Sequence, residues 1–382
     1  MNDPDLSYRD IKSTQKYELV PSKKISSDDD FAEYTRIVCM SDTHGNHRSI
    51  HVPKCDVLIH GGDFSKTGEN HIVKDLADYF EELKQNGTVG KVICIAGNHD
   101  LTFQADTYRE NWSRFHPKSG ANNCSEIQDL KDDFKTKCIY LEDESFTDEN
   151  GIEYYGSPYT PTYGHCWAFM KNRDEIGRVW DKIPETTDVL ITHGPPLGRG
   201  DKCKFGNRAG CLNLLEQIQT RIKPRLHVFG HIHEDSGYTF DGTTLFVNAS
   251  NVTIKYSPEQ PCTVIDLPTI DKHAIPRVVI PQCHLTSLEI LDWLEQHEYK
   301  QIYPYFANRK PLLDGNDLVQ DDLNIENLAC KLKMHSARLY KSDPSYIFNW
   351  KILKKELTNA MIHLRSCSYG SISPKMEREV RK

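Results

Sequence analysis

Short apolar runs recur along the first two-thirds of the chain, and each gives way at once to polar residues and glycine. Arg36–Met40 leads into Ser-Asp-Thr-His, Asp56–Ile59 into His-Gly-Gly-Asp, and Lys91–Ile95 into Ala-Gly-Asn-His-Asp. Asp188–Ile191 leads into Thr-His-Gly-Pro-Pro and Leu226–Phe229 into Gly-His-Ile-His. Continuous apolar runs of this length predict strands buried on both faces. Lys137–Leu141, Ile152–Tyr155, Thr244–Asn248 and Thr263–Leu267 are further strand candidates. Between them the period changes. Ile72, Val73, Leu76, Ala77, Phe80 and Leu83 predict a helix over 70–84, and Leu212, Leu215 and Ile218 another over 211–222. Strands alternating with helices predict an α/β layered fold. Residues 104–135 read as a polar loop with one short helix, and 1–34 as a flexible lead-in in which 17–20 could pair with something.

Near Pro281 the pattern turns helical, beginning with Leu288, Leu291 and Leu294. A catalytic domain over 35–283, a smaller all-α domain over 284–366 and a disordered tail over 367–382 follow. Ile290–Leu294, Tyr299, Tyr303, Phe306 and Leu313–Leu318 resemble the first half of a SAM-like module, which implies an interaction element and a protein partner. Residues 286–382 carry 15 Lys/Arg and 13 Asp/Glu, a balance of +2, so the acidity behind the chain's net charge of −8 lies in the rest of the chain, at −10. An acidic balance does not suggest binding to nucleic acid or to an anionic membrane. No run of about 18 apolar residues is present to span a bilayer. The 12 cysteines are scattered without Cys-x-x-Cys spacing, which points to reduced thiols and a cytoplasmic protein rather than zinc fingers or disulfides.

The five turns after the apolar runs carry the chemistry. They supply Asp42 and His44, Asp63, Asn98 with His99, His193, and His231 with His233. Carboxylate, imidazole and amide carbonyl suit manganese, iron, zinc or magnesium rather than a thiolate site. Ligands at i and i+2 would point the same way from an extended strand end. Ligands at the carboxyl ends of parallel strands would meet in one crevice. Seven ligands (Asp42, His44, Asp63, Asn98, His193, His231, His233) exceed the three or four that one metal takes. The count predicts two metals about 3.5–4 Å apart that activate a bridging water for in-line attack on phosphorus. Among the other histidines, those at 47, 51, 60, 71, 116, 165 and 227 read as surface or core residues. Tyr159, Tyr163, His165 and Trp167 mark an aromatic loop that reads as packing, and substrate contacts stay unassigned.

In this order, Asp-x-His, Gly-Asp, Gly-Asn-His-Asp, His-Gly and Gly-His-x-His resemble the calcineurin-like metallophosphoesterase superfamily. The wording of Ser41–His44, His60–Phe64, Ile95–Phe103, Thr192–Gly198, Leu226–His233 and Val247–Ser250 is similar to the animal metallophosphoesterase-domain-containing proteins. The resemblance covers about residues 35–268. It implies a four-layer α-β-β-α sandwich in which Asp42, His44 and His233 hold one metal and Asn98, His193 and His231 the other. Asp63 would bridge them, and His99 would protonate the leaving oxygen or stabilise the transition state. Manganese is the first expectation for both metals. Protein Ser/Thr phosphatases of the superfamily carry Gly-Asp-x-x-Asp, whose second Asp orients the catalytic His. Here that position is Lys66, so the partner of His99 is open. His231, which some animal members lack, implies a complete site. The expected activity is a phosphodiesterase on cyclic nucleotides or other small phosphodiesters. The alternatives are a phosphomonoesterase or nucleotidase, and a nucleotide-binding scaffold with incidental turnover.

Overall fold

The computed structural model describes residues 3–18, 22–24, 33–117, 124–271 and 274–280. The chain divides into two compact units, 1–21 with 30–278 and 22–29 with 279–382. In the second unit the described residues are 22–24 and 279–280, all strand. The expected all-α domain over 284–366 and the tail over 367–382 lie outside the described residues.

The first unit holds two large sheets and a small two-stranded one, Thr160–Pro161 beside Met170–Lys171. In one, β1 (Tyr34–Met40), β2 (Cys55–His60), β3 (Val89–Cys94) and β4 (Ile139–Tyr140) run parallel in that order. In the other, β6 (Glu153–Ser157), β7 (Val189–Thr192), β8 (Leu226–Phe229) and β10 (Leu245–Asn248) are parallel neighbours. The second sheet is flanked by antiparallel β5 (Glu144–Thr147) and β9 (Gly237–Phe240). Antiparallel β11 (Thr263–Pro268) lies beside β1. There Arg36 and Asp266 face each other in register and form a buried two-pronged ion pair, 2.8 and 2.9 Å long.

Side chains of both sheets interleave in one core. Ile37, Val57, Ile59 and Ile93 meet Tyr154, Val189, Ile191, Val228 and Val247. The opposite face of the second sheet carries Leu190, Phe229 and Phe246 against Ile176, Trp180, Leu214 and Ile218. Outside the first sheet, α2 (Asn70–Gln85) buries Val73, Leu76, Ala77, Phe80 and Leu83, the stripe its sequence period predicts. Strands buried on both faces explain why the runs are continuously apolar.

Two sequence expectations change. Residues 104–135 are not mainly a loop. They include α3 (Ala105–Phe115) and the greater part of α4 (Cys124–Lys137), which continues into the stretch read as strand 137–141. Ile127, Leu130 and Phe134 are buried at helical spacing, and the charges between them mask that stripe. Residues 3–18 are not a loose lead-in either. Helix α1 (Pro4–Ile11) is capped by Asp3, whose carboxylate accepts from Asp5 and Leu6. Tyr17 donates to the Gly198 carbonyl (2.8 Å), Arg199 donates to Lys16 O (2.8 Å), and Glu18 bridges to Phe240 on β9. The latter gives the 17–20 stretch a pairing at Glu18. These anchors are long-range contacts that no local pattern announces.

Candidate metal centre

All seven predicted ligands and His99 follow the carboxyl ends of β1, β2, β3, β7 and β8. The reason they converge is not strand alternation. Asp42, His44, Asp63 and His231 all sit at positive φ (54°, 43°, 53° and 72°), in the left-handed region that non-glycine residues rarely adopt. His233 opens a short 3-10 turn. The i, i+2 argument from extended geometry is therefore corrected: tight left-handed turns aim these groups, with local strain held by the surrounding hydrogen bonds. Two glycines are required by close approach. A Cβ on Gly97 would strike Asp63 and His193, and one on Gly230 would strike Asp42 and Ser41.

The side chains gather into overlapping groups. Asp42, His44 and His233 offer ligand atoms within 4.8 Å of one another, and so do Asp63, His193 and His231. Asp63 stands between them, with Oδ2 3.8 Å from His44 Nε2 and Oδ1 3.4 Å from His193 Nε2. Asn98 Oδ1 is 3.0 Å from His193 Nε2. His44, Asp63 and His99 form a third such group.

A set of supporting residues fixes these positions. His44 Nδ1 donates to Ser65 O (2.9 Å), His193 Nδ1 to Gly61 O (3.0 Å) and His233 Nδ1 to Thr253 O (3.3 Å). A backbone carbonyl can only accept, so each Nδ1 carries a proton and each Nε2 turns inward. Asp42 accepts from the His231 amide at 2.9 and 3.0 Å and from Ser250 Oγ at 2.7 Å. Asp100, buried, accepts from the Gly97 amide and from the amide and hydroxyl of Ser65, tying the turn after β3 to the turn after β2. Burial pushes its carboxyl up to about 8, with the nearby charge of Asp63 adding to the rise. His60 accepts from the Gly62 amide through Nδ1, so Nε2–H is left to donate to Thr43 Oγ1. His60 thus links the turns bearing Asp42 and Asp63.

The open question of what orients His99 has an answer. Its Nδ1 donates to the backbone carbonyl of Lys66 at 2.7 Å, where the resembling phosphatases place a carboxylate side chain. Its amide donates to Asp63 Oδ1 (2.7 Å). Ser250, Asp100 and His60 support the site without being among the residues the sequence motifs single out. The Asp closing Gly-Asn-His-Asp and the Ser of Val-Asn-Ala-Ser were signals; the backbone acceptors leave none.

The residues fit divalent cations. His44 Nε2 and His233 Nε2 face each other at 3.3 Å with both Nδ1 atoms committed, and His193 Nε2 faces Asn98 Oδ1 in the same way. Lone pairs meeting at that range repel unless a proton or a cation lies between them. Imidazole, carboxylate and amide oxygen are the donors that divalent transition metals and magnesium accept.

Residues 35–235 match the family described as calcineurin-like phosphoesterase. The chain belongs to that family. It is 44% identical over 244 residues to metallophosphoesterase domain-containing protein 1 of human and of mouse, covering 62% of this chain and 72% of the relative. A nematode relative, UPF0046 protein K07C11.7 of Caenorhabditis elegans, is 35% identical over 257 residues, 65% of this chain and 83% of that one. Membership supports a hydrolase acting on phosphoric esters through metal ions, in agreement with the donor groups found at the strand ends. Among the described residues, no helix is long and apolar enough to cross a membrane.

Proposed function

We propose that this phosphoesterase is a dinuclear metal-dependent phosphodiesterase acting on small phosphodiesters, cyclic nucleotides among them. The observation that carries the reading is Asp63. Its two oxygens face His44 on one side and His193 on the other, so one carboxylate serves both groups. Asp42, His44 and His233 would hold one cation, and Asn98, His193 and His231 the other. Manganese is the metal to try first. Two such ions, when bound, supply positive charge to the phosphoryl oxygens and make water acidic enough to attack phosphorus at neutral pH.

The chain's own residues do the rest. Asp63 fixes the spacing of the two groups. His99, held at Nδ1 by Lys66 O, presents Nε2 as the edge for proton transfer. The attacking oxygen forms the new bond to phosphorus. The leaving oxygen takes the electron pair of the broken P–O bond and a proton from Nε2, and a water proton restores His99. The scattered cysteines, free where described, support a reducing, cytoplasmic setting.

The test compares bis(4-nitrophenyl) phosphate with 4-nitrophenyl phosphate on the full chain with added manganese. We expect the diester to be preferred, and Asp63→Ala to lose turnover together with both metals. Preference for the monoester would favour a phosphomonoesterase. Turnover of neither ester, with Asp63→Ala keeping the wild-type metal content, would overturn the enzymatic reading in favour of a binding scaffold.

A further inference from the structure

We propose that Trp167 is a positioning residue that holds the His99 imidazole for proton transfer to the leaving group. The inference rests on the phosphodiesterase reading and extends it to a residue from outside the ligand-bearing turns.

The Trp167 indole lies against the His99 ring, with centroids 4.1 Å apart and planes 32° apart. The His44 ring also meets His99, at 4.8 Å in T-shaped contact. The bond to Lys66 O restrains a single corner of the imidazole. A carboxylate partner has two oxygens and a full charge, whereas a carbonyl has neither. The torsion that tilts a His ring is broad, so one carbonyl leaves the tilt soft. The indole face supplies the missing restraint.

Trp167 is itself firmly placed. Cys166 and Phe169 flank it at φ of 72° and 51°, two non-glycine residues in left-handed backbone within four positions. Ala168 N–H donates to Asn98 O (3.1 Å), so the segment is fastened to the turn that carries His99. Phe169 N–H donates to Gln104 Oε1 (2.7 Å), Thr160 N–H to Phe169 O (3.0 Å), and the indole also packs on Phe115 at 5.1 Å. Backbone strain of this kind persists where the surroundings over-determine it, and such places cluster at functional sites.

The experiment uses the full chain as wild type, Trp167→Ala, Trp167→Phe and His99→Ala, each with manganese. The substrates are bis(4-nitrophenyl) phosphate, whose acidic leaving group needs little protonation, and adenosine 3′,5′-cyclic monophosphate, whose alkoxide leaving group needs it. For Trp167→Ala we expect the ratio of kcat on the cyclic ester to kcat on the aryl ester to fall about tenfold or more, within the usual reach of general-acid catalysis. KM and metal content should stay near wild type, and Trp167→Phe should recover most of the ratio. A second readout needs no turnover. In metal-free protein the His99 ring-proton NMR signal, assigned by its loss in His99→Ala, should shift when the indole is removed and shift less in Trp167→Phe. Equal losses on both esters, a loss carried by KM, or an unmoved His99 signal would each overturn the proposal alone. Wild-type inactivity toward both esters would overturn the phosphodiesterase reading and the proposal with it.

Discussion

The Nε2 atoms of His44 and His233 stand 3.3 Å apart while the Nδ1 of each ring faces a backbone carbonyl. Only a shared proton or a cation makes that approach favourable. Burial pushes His44 down to about 4 and so leaves it neutral. His233 is raised, because its hydrogen bond and attraction to Asp42 outweigh its burial. His193 in the other group behaves alike: burial opposes the charge, but Asp63 carries the ring up to about 9. The metal-free centre therefore holds a proton on His193, and the pull of Asp42 shifts His233 toward its protonated form.

Metal binding should displace those protons, since a ligating imidazole must offer its lone pair. The expected outcome at pH 7 is release of at least one proton per chain, that of His193, on saturation with manganese, with affinity rising as pH rises toward 9. Calorimetric titration in buffers of different ionisation enthalpy counts them. Binding without proton release would contradict the arrangement described for His193 and His233.

Ser250 donates to Asp42 Oδ2 at 2.7 Å and belongs to none of the ligand-bearing turns. Partners of this kind orient a ligating carboxylate, and their loss typically costs about 10–100-fold in metal affinity. Ser250→Ala should weaken manganese binding by that order while the fold stays intact by circular dichroism. An unchanged titration curve would remove Ser250 from the support of Asp42.

Acid lability has an identifiable source apart from the ligands. Thr192 Oγ1 donates to Gly194 O, so His227 must donate its Nε2–H to that hydroxyl at 2.8 Å, leaving Nδ1 buried and unpartnered. Burial holds this ring down to about 3, well below its unfolded value of 6.5. A depressed histidine takes up its proton on unfolding, so stability is present above pH 6.5 and drains away as pH falls toward 3. Urea unfolding of metal-free protein from pH 7.5 to 4.5 should show a shallower loss for His227→Phe than for wild type. Identical slopes would rule out His227 as a contributor.

The amino-terminal strap predicts a stability effect beyond its own length. Arg199 is fully buried with two of its nitrogens unpartnered, and its guanidinium lies 4.3 Å over Tyr17 and 4.9 Å over Phe246. Arg208 stacks on Tyr8 at 3.6 Å and its amide donates to Asp5. Beyond these anchors, the amides of Lys202 and Lys204 reach Asp235 and Glu234, beside His233. Deleting residues 1–18 should lower Tm by several degrees and speed hydrogen exchange across 198–210, as removing one wall of a packed contact loosens the other. Exchange unchanged in that segment would show that the strap does not restrain it.

Much of this protein is legible in one dimension. Continuous apolar runs announce strands covered on both faces, because no water-facing side remains to be polar. The ligand turns stand out for the same reason: Asp42, Asp63, Asn98, His193 and His231 interrupt apolar runs at one end, where polar side chains need a use. What lies outside that logic was decided by the tertiary structure. The acceptors that fix His44 and His99 are the backbone carbonyls of Ser65 and Lys66, and a carbonyl is the same atom in every residue. Ser250, Trp167 and the strap act across 68 to 208 residues of chain, where no period or spacing connects partners. Sequence alone therefore determined which groups could bind metal and the α/β class of the fold. Only the packing of two sheets and their left-handed turns decided how those groups face one another and what holds them there.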